Sequence, residues 1–281
     1  MKISVLWILC FFLMPSAALA EGYYAREAKA ERLAWMPFLP QEVVEAAFSE
    51  GAKNEVAESL DYRMTINLPA RRLFLYEKGN LIKVYPVAVG TNRYRTPVGP
   101  RYLANVTWNP WWYPPPSDWA KDEKPTPPGP GNPLGRVKMS LGGDIFLHAT
   151  NKEYTVGTTA SHGCMRMKGK DAVELAWFFQ SKFSDQTEET LRAKYDARRW
   201  ESFFVPLQEK IPVDVVYERV TVHDAEMVIH PDIYGRVGDL EEQVINQLSN
   251  VGIPPWEVDP MKLEDLKRLP NSTAVPIGDL L

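Results

Sequence analysis

Thiols, histidines and long apolar runs are all scarce in this chain. Its 281 residues hold two cysteines and four histidines. One cysteine, Cys10, falls in an apolar stretch near the start, so Cys164 stands alone in the remainder and no internal disulfide can staple the fold. The longest apolar run, Val5 to Met14, is ten residues, too short to span a bilayer. Met1-Lys2 precedes it and Ala18-Leu19-Ala20 follows Pro15-Ser16-Ala17, which predicts an export signal over residues 1–20 rather than a membrane anchor. No lysine- or arginine-rich run occurs, and the formal charge is −4, or −5 without Lys2. A nucleic-acid or anionic-membrane partner therefore has no electrostatic footprint here. The 261 residues after the signal suffice for one large or two modest domains of ordinary globular composition.

What is present sorts into three regions: a helical segment at 21–61, a β-rich region at 62–218, and a C-terminal extension at 219–281. Ala25 to Met36 reads as a helix, and Pro40-Gln41-Glu42 opens a second that Gly51 could close. From Tyr62 the pattern turns to strands. Met64 to Leu68 alternates, and Arg72–Tyr76 and Leu81–Val89 flank Glu77-Lys78-Gly79-Asn80 as a hairpin. Val137–Leu141 and Asp144–Leu147 flank Gly142-Gly143 as another, so His148 sits at a strand end. Helices are predicted over Asp171–Gln180, Gln186–Trp200 and Leu240–Leu248, and a strand over Ile211–Tyr217. Val220–Val222 and Met227–Ile229 could pair as a last hairpin, ahead of a proline-spaced tail. The class is mainly β with minor α.

Between the first two hairpins Trp108, Trp111, Trp112, Tyr113 and Trp119 interleave with Pro110 and Pro114-Pro115-Pro116. Proline stiffens without hydrogen bonding, and the rings offer large flat apolar faces. Two readings stay open: a rigid wall over a substrate groove, with Trp111 and Trp112 on the substrate, or a loop pinned to the core by its tryptophans.

The lone thiol needs a reason, because an unpaired cysteine in an exported protein is open to oxidation. A nucleophile flanked by imidazole and glycine supplies one. His162 lies two residues from Cys164, so in extended backbone the two side chains run parallel rather than toward each other. His148 arrives from a different strand, and the base role falls to it. Ser161 and His162 then support the loop, Gly163 lets the backbone turn beside a developing oxyanion, and Arg166 offers a forked cation to a substrate carboxylate.

The ordered set His148, Ser161-His162-Gly163-Cys164-Met165-Arg166 resembles the catalytic signature of the L,D-transpeptidases of bacterial cell walls. The resemblance extends to Asn67–Leu73, Thr96-Pro97-Val98-Gly99 and Gly129–Gly135. It implies a β-sandwich of mixed sheets, Cys164 as nucleophile, His148 as proton acceptor and donor, an oxyanion site around Gly163 and Cys164, and Arg166 supporting the pocket. The implied donor is a peptidoglycan stem peptide, attacked at the L-centre carbonyl of its third residue with release of the terminal D-amino acid. The resulting thioester passes to an amine of a second stem or an envelope protein, or to water as in a carboxypeptidase. No metal or organic cofactor is implied. Ala149 departs from the usual glycine or serine after the first histidine, so the imidazole would be held by a backbone carbonyl. Met165 and Met167 stand where smaller aliphatics are usual, and Gln180–Gln208 and the tryptophan insert look enlarged, which leaves the acceptor open. A sortase-like cysteine peptidase would lack the Ser-His-Gly run, and an inactive wall-binding module would not need His148, Cys164 and Arg166 together. His223 and His230 flank the last hairpin without further metal ligands nearby, and His148, His162 and Cys164 lack a fourth group for zinc.

Overall fold

The computed structural model describes residues 61–267 and 273–281, apart from Asp224 and Val237. The export signal and the helices expected before residue 61 lie outside the described residues. Among the described residues the helices are mid-chain and C-terminal.

One eight-stranded mixed sheet carries the catalytic region. Its order is β3 (Asn80–Pro86), β2 (Arg72–Glu77), β1 (Tyr62–Asn67), β10 (Phe203–Val216), β5 (Gly99–Trp108), β6 (Val137–Ser140), β7 (Phe146–Ala149) and β9 (Met165–Met167). The pairs β1–β10 and β7–β9 are parallel and the rest antiparallel. Ala88, just past edge strand β3, makes an isolated bridge to Arg166 in the opposite edge strand β9. The sheet therefore nearly closes on itself, where the sequence suggested separate sheets stacked as a sandwich. A two-stranded parallel ribbon, β4 (Val89–Gly90) with β8 (Thr159–Ser161), lies beside that junction.

Burial alternates along β1, with Tyr62, Met64 and Ile66 inward, as a half-buried strand requires. Met139, Leu147 and Met165 continue the same apolar layer, so the side chains between them, Lys138, His148 and Arg166, take the opposite face. Helix α1 (Gly169–Phe183) buries Ala172, Leu175, Ala176 and Phe179, the 3-4 spacing of one helix face, against β6, β7 and β10. Trp108 at the end of β5 is fully buried; its indole donates to Gln180 of α1 at 2.6 Å and stacks on Tyr195 of α2 (Glu189–Ala197) at 5.0 Å.

Several boundaries differ from the sequence reading. The first hairpin turns on Lys78-Gly79 alone, both at positive φ, a two-residue turn whose twist suits antiparallel strands. The Gly142-Gly143 hairpin has a longer loop, closed by Leu141 N–H to the Ile145 carbonyl, so β7 begins at Phe146. Strand β5 went unrecognised, and β10 is fourteen residues long rather than a short Ile211–Tyr217 segment. Strand β10 keeps its alternation, with Val205, Leu207, Ile211, Val213 and Val215 inward, whereas β5 changes phase between the buried Leu103 and Val106, opposite the slip between Pro206 and Ile211.

Beyond β10, β11 (Val220–His223), β12 (Glu226–Ile229) and β13 (Thr273–Pro276) form a three-stranded antiparallel sheet. Helices α3 (Leu240–Asn250) and α4 (Pro260–Leu266) contribute Val244, Leu248, Leu263 and Leu266 to a second apolar cluster with Met227 and Ile229. Asp239 and Asp259 cap these helices, each carboxylate accepting from the backbone N–H two residues on. The last hairpin is as expected; the tail instead supplies α4 and β13.

Candidate active site

Parallel pairing of β7 with β9 sets the central geometry. His148 is in register with Arg166, and Cys164 stands immediately before β9, two residues ahead of Arg166. Lys138 is the register partner of His148 on its other side. The sheet thus lines up Lys138, His148 and Arg166 across three strands, with Cys164 at the near end of β9.

His148 is buried. Its Nδ1 faces the carbonyl of Ala149, the backbone group expected to orient the ring, which leaves Nε2 as the basic nitrogen. Burial lowers its pKa to about 4, with help from the Arg166 and Lys138 charges, so the ring is neutral at pH 7. The Cys164 thiol donates to the Asp144 carbonyl at 3.4 Å. Burial pushes its pKa up, while a Phe146 backbone hydrogen bond and the charges of Arg166 and Lys138 pull it down. The resting pair is therefore a neutral thiol beside a neutral base, not a preformed ion pair. The charges of Arg101, Lys138 and Arg166 would each favour the thiolate form of Cys164, and the Nε of Arg101 is buried without a partner among the described residues.

The turn before Cys164 is held from several sides. Gly163 has φ +117, a conformation that side chains rarely adopt. Its N–H donates to the Ser161 hydroxyl at 3.1 Å, and that hydroxyl donates in turn to the Cys164 carbonyl. Its carbonyl accepts from the Thr96 hydroxyl at 2.9 Å. A planar trans peptide points N–H opposite to C=O. Anchoring the Gly163 carbonyl therefore turns the Cys164 N–H the other way, and among the described residues no group accepts from that N–H. Arg166 is pinned by paired backbone bonds with Ala88, 2.9 and 2.8 Å long.

Comparison with known families places this arrangement. The family model for the L,D-transpeptidase catalytic domain, YkuD, matches residues 61–184. Residues 61–184 are an L,D-transpeptidase catalytic domain of the YkuD family. The chain is similar to the YkuD protein of Bacillus licheniformis, 32% identical over 120 residues that cover 42% of this chain and 61% of that one. It is also similar to the YcfS protein of Escherichia coli, 29% identical over 185 residues, 58% of this chain and 56% of that one. The matches thus span about three-fifths of the length of these curated relatives. A solved L,D-transpeptidase from Mycobacterium smegmatis is 16% identical with a TM-score of 0.37, covering 56% of this chain and 58% of that one.

The L,D-transpeptidase domain is flanked by features that its signature motif does not announce. Trp119 of the insert stacks on His162 at 4.0 Å and 7° between planes, and Tyr94 packs against the same ring at 4.6 Å. Neither was singled out as a site residue, because no spacing rule links positions 94, 119 and 162. Trp112 holds the insert by two backbone bonds with Thr126, and Trp111 stacks on Tyr113 with both rings exposed. The long strand β10 lies past the matched span, yet it joins β1 to β5 in the sheet of the L,D-transpeptidase domain. His230 is satisfied by Thr221 at 2.9 Å, and no group of three metal-ligating side chains occurs among the described residues.

A cleft of about 410 Å³ opens at the far end of β7, lined by Thr150, Glu153, Lys170, Arg136, Arg192 and Arg199 among others. Its charges are partly answered within the fold: Arg136 pairs with Asp196, Arg192 with Glu189, and Glu153 accepts from the Gly169 N–H at 2.7 Å at the start of α1.

Proposed function

We propose that this chain is an exported peptidoglycan L,D-transpeptidase, with residues 62–218 as its catalytic domain and 219–281 as an extension. The observation that carries the reading is Cys164 at the start of β9, two residues before the register partner of His148, with no acceptor for the Cys164 N–H among the described residues. The thiol attacks the L-centre carbonyl of the third residue of a tetrapeptide stem as its proton passes to His148. The oxyanion forms beside the Cys164 N–H. Collapse breaks the amide, and His148 returns the proton to the departing D-amino acid, which leaves an acyl thioester. An acceptor amine then attacks the thioester, gives its proton to His148, and restores the thiol. The acceptor is the amine of a second stem or of an envelope protein; water in its place would make the chain an L,D-carboxypeptidase.

Electrostatics supports a carboxylate-bearing substrate. In the free enzyme Arg101, Lys138 and Arg166 favour the thiolate. The thiol itself rests neutral, so a carboxylate on the bound stem would supply the negative charge that these cations lack. The test is incubation of the purified protein with a defined tetrapeptide stem, followed by mass spectrometry of protein and products. A protein heavier by the tripeptide acyl group, release of the terminal D-residue, and loss of both in Cys164→Ala are expected. Release of the D-residue at the native rate by Cys164→Ala would overturn the assignment.

A further inference from the structure

The catalytic turn is held by a residue that lies fifty positions beyond the matched domain. Tyr234 follows β12 and is buried, only 1% exposed. Its hydroxyl donates to the Gly90 carbonyl at 2.9 Å and accepts from the Thr96 N–H at 3.1 Å. The Thr96 side chain, itself buried, completes the square: its hydroxyl accepts from the Gly90 N–H at 2.8 Å and donates to the Gly163 carbonyl at 2.9 Å. One phenol and one alcohol thus tie both ends of the 90–96 loop together and carry that loop to the peptide that precedes the nucleophile.

The packing leaves this loop little alternative. A β-carbon on Gly90 would lie 2.1 Å from the Tyr94 carbonyl and 2.7 Å from the Thr96 nitrogen, so the loop folds directly over a bare α-carbon. The Tyr234 ring stacks on Tyr217 at 5.6 Å, its own N–H donates to the Tyr217 hydroxyl at 2.9 Å, and the Arg95 guanidinium sits 5.5 Å from its centroid. Tyr217 directly follows β10, so the ring is referenced to the central sheet rather than to a mobile tail. All of this holds without the hydroxyl. What the hydroxyl adds is the tie to Gly90 and Thr96, groups that a phenyl ring cannot satisfy.

We infer that Tyr234 is a positioning residue for the transpeptidase reaction, setting through Thr96 and the Gly163 carbonyl the direction of the Cys164 N–H toward the developing oxyanion. The inference rests on the functional reading above. Its consequence is that residues outside the matched domain are part of the machinery that tunes acylation, although Tyr234 touches no substrate.

The variant that isolates this role is Tyr234→Phe, which keeps the stack on Tyr217 and removes only the hydroxyl. With a tetrapeptide stem as substrate, kcat should fall roughly ten- to a hundredfold while KM stays near the native value, because oxyanion stabilisation acts in the transition state. Alkylation of Cys164 by iodoacetamide forms no oxyanion, so its rate and pH profile should be unchanged. Thr96→Val should reproduce the defect, and the double variant should be little worse than either single one, since both act through the same carbonyl. Hydrogen exchange at Thr96 and Gly90, whose N–H groups donate to the Tyr234 and Thr96 hydroxyls, should quicken in Tyr234→Phe. Native kcat in Tyr234→Phe, or fully additive losses in the double variant, would overturn the inference. So would alkylation falling in parallel with kcat, which would signal a general loosening of the site. A wild-type protein that forms no thioester with any stem would defeat the functional reading and with it the catalytic role of Tyr234. The exchange measurement would still decide whether Tyr234 holds the loop.

Discussion

At the scale of single residues, burial sets the protonation states and hence the pH response. With the His148 pKa lowered to about 4, the base stays neutral throughout the range in which an ordinary imidazole gains its proton. Turnover should therefore survive acidification from pH 7 to pH 5, with the acid limb of kcat/KM lying near pH 4. An acid limb centred on 6.5 would show that the imidazole is not held neutral by its surroundings. Because burial raises the Cys164 thiol, alkylation should climb with pH beyond the usual cysteine range instead of levelling off near neutrality. His148→Ala should cost on the order of a hundredfold or more in kcat. Trp119→Ala tests the stack on His162: a fall in stem turnover with an unchanged melting temperature would place the insert in the reaction, and unchanged turnover would remove it.

At the scale of elements, the insert between β5 and β6 is pinned to the core at its start, and its substrate-wall reading is tested further along. Trp108 is its structural root. With its ring fully buried between Gln180 and Tyr195, Trp108→Ala should lose about 3–5 kcal/mol in chemical denaturation, since it leaves a large cavity and an unpaired Gln180 carbonyl. Trp111 and Trp112 belong to the part beyond that root. Trp111 is 43% exposed, so Trp111→Ala should change stability little, and a fall in stem turnover would identify it as substrate wall. Trp112 is half-buried against Trp119, so its replacement should disturb His162 through Trp119. A Trp112→Ala protein with native turnover would break that link.

At the scale of the whole molecule, a buried and a half-buried imidazole in different parts of the fold make stability depend on pH. The pKa values of both His148 and His230 are lowered to about 4, chiefly by burial. Between pH 6.5 and about 4 the unfolded chain binds protons on both that the folded chain does not. The stability these neutral rings allow is fully present above pH 6.5 and is lost as pH falls toward 4. The urea midpoint should drop across that window, and His230→Gln, far from the catalytic pair in sequence, should flatten the drop. An unchanged slope in that variant would show that His230 already titrates normally in the fold.

Composition and local motif were enough to point to the family of residues 61–184. A lone thiol after Ser161-His162-Gly163, with Arg166 behind it and a strand-ending His148 upstream, depends on residue types and short spacings that survive in the linear chain. The hairpins with Gly79 and Gly142-Gly143 were legible for the same reason, because a tight turn is a local event. Tertiary structure alone decided the rest. The near-closure of the sheet depends on a bridge between Ala88 and Arg166, and β5 loses its alternation where its ladder with β10 slips. Trp119 on His162, and Tyr234 on the loop that holds Gly163, join residues 43 and 71 positions apart in the chain. Such contacts follow from how the elements pack, and no periodicity or spacing in the sequence encodes them.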